Sequence, residues 1–206
     1  MNAKRMILLV VALTAIFALG LTAVSAQDSP GGGIGGGQGN GYQGGRGGGA
    51  PGGAMNGNGA YGGGLMLNLP PASTEALSQD SIDLMIDGWL DEQHAYAVYG
   101  SIIEQFGAVR PFVNIQRSEA QHIAAWETLF ARYGVTVPEV PAFDVPQFAS
   151  VAEACAAGAV AEVANFDLYD SMLAAFQPYP DLAYVAQALR DASEFSHLPA
   201  FENCAG

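Results

Sequence analysis

The chain has 206 residues, with 7 Lys and Arg against 20 Asp and Glu and a formal net charge of −13. Its length allows one domain or at most two, and its acidity argues against nucleic acid or an anionic membrane surface as a partner. Most of the 27 Gly fall between Gly31 and Gly64, so the chain divides into stretches of different character.

Residues 1–26 read as an export signal. Lys4 and Arg5 form a basic start, Met6 to Leu21 is almost wholly apolar, and Val24-Ser25-Ala26 offers small residues for cleavage before Gln27. The alternative is an uncleaved membrane anchor, for which the apolar run is of marginal length. No Cys follows the run and no Arg-Arg pair precedes it, so the chain is expected to leave the cell unfolded and to acquire any metal outside. A secreted or cell-surface location follows. Removing Lys4 and Arg5 takes the formal charge from −13 to −15 and leaves no Lys. Residues 27–72 form a Gly-rich segment with Asn, Gln and a few Tyr. It cannot bury a core, and it is expected to act as a flexible arm closed by Leu65 to Leu69 and Pro70-Pro71.

From Ser73 the texture becomes helical, and residues 73–206 are expected to form one domain. The first helix is predicted from Ser78 or Asp80, both good caps, to Gly107. The second starts at Arg110-Pro111 and ends at Tyr133-Gly134, where Gly supplies a left-handed cap. Val135 to Gln147 holds three prolines and is long enough to cross a helical bundle. The third helix is predicted from Ser150 to Phe176, with a break at Gln177-Pro178-Tyr179-Pro180. The fourth runs from Asp181 to Phe201. No segment alternates as a strand. The expected fold class is all-α, an antiparallel four-helix bundle with a long central crossover, preceded by a disordered Gly-rich arm.

Two helices carry Glu-x-x-His, at Glu119/His122 and at Glu194/His197. Residues three apart share a helix face, about 60° apart around the axis and ~4.5 Å along it, so each pair can bind one metal ion. With ten Glu in the chain, chance puts Glu three places before a given His about one time in twenty; here it happens for two of three His. Each pair is preceded by a helix with a lone Glu, Glu92 and Glu162. Each lone Glu has a Tyr seven residues on, Tyr99 and Tyr169, two turns along the same face. The domain therefore reads as a duplicated helical hairpin. Four carboxylates in an apolar interior need a counter-charge, which two divalent cations would supply. Oxygen-rich ligation with one imidazole per ion suits iron or manganese, with zinc also able to bind. Asp167, well round the helix from Glu162, ranks behind it as a ligand. Asp191 is placed as a supporting partner of His197 or a solvated group. Asp91 and His94 are expected at the surface.

Cys155 lies seven residues before Glu162, and Cys204 seven after His197. On antiparallel neighbouring helices both fall on one side of the site, ~10 Å along the axis, and an oxidising location favours a Cys155–Cys204 disulfide.

These residues resemble the ferritin-like di-iron carboxylate superfamily, which includes rubrerythrins and bacterioferritins. They are most similar there to a prokaryotic domain family of unknown function. The resemblance is carried by Glu92 with Tyr99, by Phe112-x-x-Ile115-x-x-Ser118-Glu119-x-x-His122, by Arg132-Tyr133-Gly134 and by His197-Leu198-Pro199-Ala200-Phe201. It covers roughly Ser78 to Phe201. It implies Glu92, Glu119, His122, Glu162, Glu194 and His197 as ligands of two metal ions, with Glu119 and Glu194 bridging. The implied activity is oxidation of Fe(II) or reduction of oxygen or peroxide, a ferroxidase- or peroxidase-like oxidoreductase. The chain departs from rubrerythrins in having two Cys rather than the four of their iron–sulfur domain. The alternative is a non-catalytic metal-binding or structural module tethered at the cell surface. Nothing in the sequence sets the oligomeric state, and a dimer is compatible with it.

Overall fold

The computed structural model describes residues 65–206. The expected export signal and residues 27–64 of the Gly-rich segment lie outside them. The described residues hold helices and no strand, and none of these helices is long and apolar enough to cross a membrane. After a 3₁₀ turn at Leu65–Asn68 come α1 (Gln79–Phe106), α2 (Phe112–Tyr133), α3 (Val151–Ala175) and α4 (Pro180–Ala192). A π turn over Ser193–His197 leads into α5 (Leu198–Ala205).

The ends of these helices follow from local chemistry. Ser78 is extended and its Oγ accepts from the Ser81 N–H at 3.1 Å. Ser150 does the same for Glu153 N–H at 3.1 Å, while Glu153 accepts from Ala149 N–H at 2.7 Å. Each side chain meets a donor that the first helical turn leaves without a partner. Gly134, at φ 66°, closes α2 by turning its N–H back to Phe130 and Ala131.

The expected fourth helix, continuous from Asp181 to Phe201, is corrected here. Pro199 has no N–H to give the Phe195 carbonyl. Instead the Leu198 N–H reaches back five residues to the Ser193 carbonyl, and the chain widens into the π turn before α5 resumes.

The interior falls into two apolar clusters. One holds Trp89, Trp126, Phe130, Tyr169, Met172 and Leu182. The other holds Tyr99, Ile102, Phe112, Phe148, Cys155 and Phe201. A polar layer from α1, α2, α3 and the π turn separates them along the sequence of every helix involved.

Arg132-Tyr133-Gly134 closes the end of α2. Asp181, fully buried, accepts from Arg132 Nη1 at 3.0 Å and Tyr133 Oη at 2.6 Å. Arg132 also binds the Pro70 carbonyl at 2.7 Å, and Tyr133 Oη accepts from the Ser73 N–H at 3.1 Å. The stretch before α1 is thereby held on the domain, with Leu65 and Leu69 packed into the first cluster.

At the opposite end the Cys155–Cys204 disulfide joins the first turn of α3 to α5, with 5.8 Å between the Cα atoms. Gly158, one turn on, lets α5 approach. A Cβ there would lie 2.9 Å from the ring of Phe201, which is fully buried and has nowhere to move. Gly158→Ala should therefore lower stability by about 1–3 kcal/mol, the usual cost of overpacking. Denaturant unfolding checks this, and an unchanged midpoint would contradict it.

Candidate metal centre

Five side chains meet in the polar layer. Glu92 comes from α1, Glu119 and His122 from α2, Glu162 from α3 and His197 from the π turn, each 5 % exposed or less. His122 Nδ1 lies 3.1 Å from Glu92 Oε2 and 2.8 Å from Glu119 Oε2. His197 Nδ1 lies 3.4 Å from Glu119 Oε1 and 3.5 Å from Glu162 Oε1. Glu119 thus turns one oxygen to each imidazole, and each imidazole faces one further carboxylate of its own. The two rings are stacked 5.7 Å apart. Glu119, His122 and His197 offer ligand atoms all within 4.8 Å of one another.

Around this core the two tyrosines cross over. Tyr99 of α1 donates to Glu162 Oε1 of α3 at 3.2 Å, and Tyr169 of α3 donates to Glu92 Oε1 of α1. Spacing places each Tyr on the face of its own helix's Glu, but the hydroxyl reaches the other half's carboxylate. Ser118 Oγ lies 3.2 Å from His122 Nε2. With Nε2–H donating there, His122 would be free to give up the Nδ1 proton it shares with the carboxylates and to offer that nitrogen to a metal ion.

The electrostatics divide the carboxylates. Burial opposes a charge on Glu92, but the charge and hydrogen bond of His122, with bonds from Glu119 and Tyr169, outweigh it and hold the group at about 2. Glu119 goes the other way. Burial raises it most, and the charges of Glu92 and Glu162 add to that against the pull of His197, so it titrates well above the usual carboxylate range. Burial works against the His197 imidazolium, but Glu119 and Glu162 together raise it. Without metal, the site thus favours a proton on Glu119 more than on Glu92.

These residues fit a divalent cation. The partners of the three buried carboxylates are imidazoles, hydroxyls and one another; among the described residues no Arg or Lys pairs with them. Glu162 Oε2 is buried with no hydrogen-bond partner. An orphaned carboxylate oxygen in an apolar interior costs free energy that a cation would recover.

Of the six expected ligands, Glu194 is placed elsewhere. Its carboxylate pairs with Arg190, which also binds Asp170 at 2.5 Å, and its side chain is 36 % exposed. The π turn is the reason. At roughly 80° per residue instead of 100°, three steps carry Glu194 from about 60° to about 120° away from His197. Pro199 was the signal in the sequence. Asp191 accepts from Gln187 at 2.8 Å rather than supporting His197, and Asp167 is exposed.

The expectation that Asp91 and His94 lie at the surface is corrected. Asp91 is half-buried, in the field of Glu92 and Glu162. His94 is buried against Phe143 of the crossover, with 5.1 Å between ring centroids. The crossover covers that flank of α1, which helical spacing alone does not reveal.

Comparison with solved structures finds a hypothetical protein, MJ0754, from Methanococcus jannaschii DSM 2661. It is similar at 20 % identity with a TM-score of 0.58, over 66 % of this chain and 85 % of that one. At that identity the likeness speaks to fold alone. No match was found among curated proteins. The family model described as "Uncharacterized protein domain (DUF2202)" matches residues 81–202, a span holding all five buried side chains of the site, and the chain belongs to that family.

Proposed function

We propose that the domain is a ferritin-like four-helix bundle of an exported protein, and that it binds two metal ions and oxidises Fe(II) with dioxygen or peroxide. Iron is the favoured metal, with manganese and zinc as alternatives. The observation that carries the reading is Glu119. Its two oxygens face different imidazoles, 2.8 Å from His122 and 3.4 Å from His197, so it could be shared by two ions, one held on each side. Glu92 with His122 would complete one half and Glu162 with His197 the other.

When bound, a pair of iron ions supplies the electrons for reducing a small oxidant. The chain's own residues do the rest. Reducing one hydrogen peroxide to two waters takes two electrons, one from each Fe(II), and two protons. Tyr99 and Tyr169, each hydrogen-bonded to a carboxylate of the site, are hydroxyls through which those protons could pass. Ser118 holds the His122 ring, and the two apolar clusters exclude bulk water.

The test is to load the domain anaerobically with Fe(II), add hydrogen peroxide, and follow ferric absorbance and peroxide together. One peroxide consumed per two iron ions, faster than with free Fe(II), is the expected result. Iron that binds and stays ferrous would select the second reading, a metal-binding module without turnover, which the Glu194–Arg190 pair favours by withholding a sixth ligand.

Metal uptake should also release protons. Glu119 and His197 both hold protons more tightly than usual, and both must give them up to bind a cation. Affinity should therefore fall as pH falls, about tenfold per pH unit for each proton displaced. Calorimetry in buffers of different ionisation enthalpy counts these protons, and zero release at neutral pH would contradict the assignment.

A further inference from the structure

Helices α1 and α3 do not close completely on each other. A cavity of about 30 Å³ lies between them, walled by Asp91 and Tyr99 of α1, by Phe148 of the crossover, and by Ala157, Ala161 and Ala164 of α3. A water needs roughly 10–15 Å³ measured this way, so the space admits one or two water-sized species and nothing larger. His94 lines it as well, with its ring against Phe143 of the crossover.

Tyr99 belongs to the cavity and to the metal centre at once. Its hydroxyl donates to Glu162 Oε1 at 3.2 Å, and the other oxygen of Glu162 is the buried one with no partner. Asp91 is the one carboxylate on the cavity wall, and it is half-buried. Methyl groups make up most of the α3 wall.

We propose that this cavity is the passage through which divalent cations reach the metal centre, with Asp91 receiving the ion and Glu162 taking it next. The proposal rests on the metal-binding reading above. A fully hydrated divalent ion is too large for the space and must shed most of its waters on the way in. A carboxylate at the wall replaces them with a hard oxygen ligand, the kind such ions prefer. The alanines offer no ligand that would detain the ion, and their size keeps the way open. Tyr99 joins the cavity wall to Glu162, whose other oxygen has no partner.

A passage alters rates without altering equilibria, and this separates it from the centre it serves. The experiment uses Co(II) added to the full chain, with uptake followed in the visible spectrum and release driven by a chelator. Ala161→Leu should slow uptake and release in equal proportion, with the dissociation constant unchanged. Asp91→Asn should slow uptake by about tenfold, because the wall then lacks its one carboxylate ligand for the ion. If Ala161→Leu does not fold, Ala164→Leu, at an exposed position of the same wall, provides the obstruction. Unchanged rates in the Asn and Leu variants would overturn the passage while leaving the metal centre standing. An Asp91→Asn variant with normal uptake but faster release would also overturn it, because Asp91 would then be part of the bound site. A wild-type chain that takes up no Co(II) would bring down the metal-binding reading and the passage together.

Discussion

Glu119→Gln is expected to abolish binding of two metal ions while leaving the metal-free domain folded and about as stable as the wild type. The asymmetry follows from the protonation of the site. Burial and two neighbouring carboxylates push the Glu119 carboxyl well above the usual range, toward its protonated form, and a glutamine has the shape and hydrogen-bonding character of a protonated glutamate. It can still donate toward Glu92. It cannot turn an anionic oxygen to each half of the site, as Glu119 does toward His122 and His197. The loss in affinity should exceed the roughly 10- to 100-fold typical of removing a group that only supports a ligand. Glu194→Gln is the matched control. Its carboxylate pairs with Arg190 away from the site, so metal stoichiometry should be unchanged. Metal content after dialysis, with thermal unfolding of the metal-free proteins, reads both effects. Full occupancy in Glu119→Gln would remove the bridge from the account, and loss of metal in Glu194→Gln would bring Glu194 into the ligand set.

Removing the disulfide should have the largest effect on stability. Cys155 and Cys204 are separated by 49 positions, and closing a loop of that length contributes roughly 4 kcal/mol on the chain-entropy model. In a domain of this size the loss corresponds to a fall in Tm on the order of 10 °C. The consequence reaches the proposed metal centre. His197 lies just before α5, and α5 is held to α3 by the disulfide at one turn and by Phe201 against Gly158 at the next. Loosening α5 frees His197 relative to Glu162, so Cys155→Ser/Cys204→Ser should also bind metal more weakly. Added metal should restore part of the lost Tm, because a ligand that binds only the folded chain stabilises it by mass action. A double variant with wild-type Tm would show that the cross-link does not hold α5 in place.

Much of the helical architecture could be read from short-range chemistry. Ser78, Ser150, Gly107 and Gly134 mark helix ends because a cap depends on a residue and its next three neighbours. The pairing of Cys155 with Cys204 was legible from their equal seven-residue offsets on neighbouring helices. Glu119 and His122 converge because their spacing fixes their angle on one straight helix. The same spacing at Glu194 and His197 did not have that result, because Pro199 removes a donor and the helix widens into a π turn. The crossed tyrosines were also beyond spacing. Periodicity says which face Tyr99 and Tyr169 share, but the partner carboxylate depends on how α1 and α3 lie against each other. His94 and Asp91 were misplaced for a related reason. Their surroundings are set by the crossover and by α3, far away in sequence.

Glu92, Glu119, His122, Glu162 and His197 are proposed to hold a pair of metal ions. Anomalous diffraction at the iron edge from crystals of the chain loaded anaerobically with Fe(II) tests it most directly. Two peaks are expected within ligand distance of Glu119, one also touching Glu92 and His122 and the other Glu162 and His197. No peak among these side chains, or a single one at full occupancy, would contradict it.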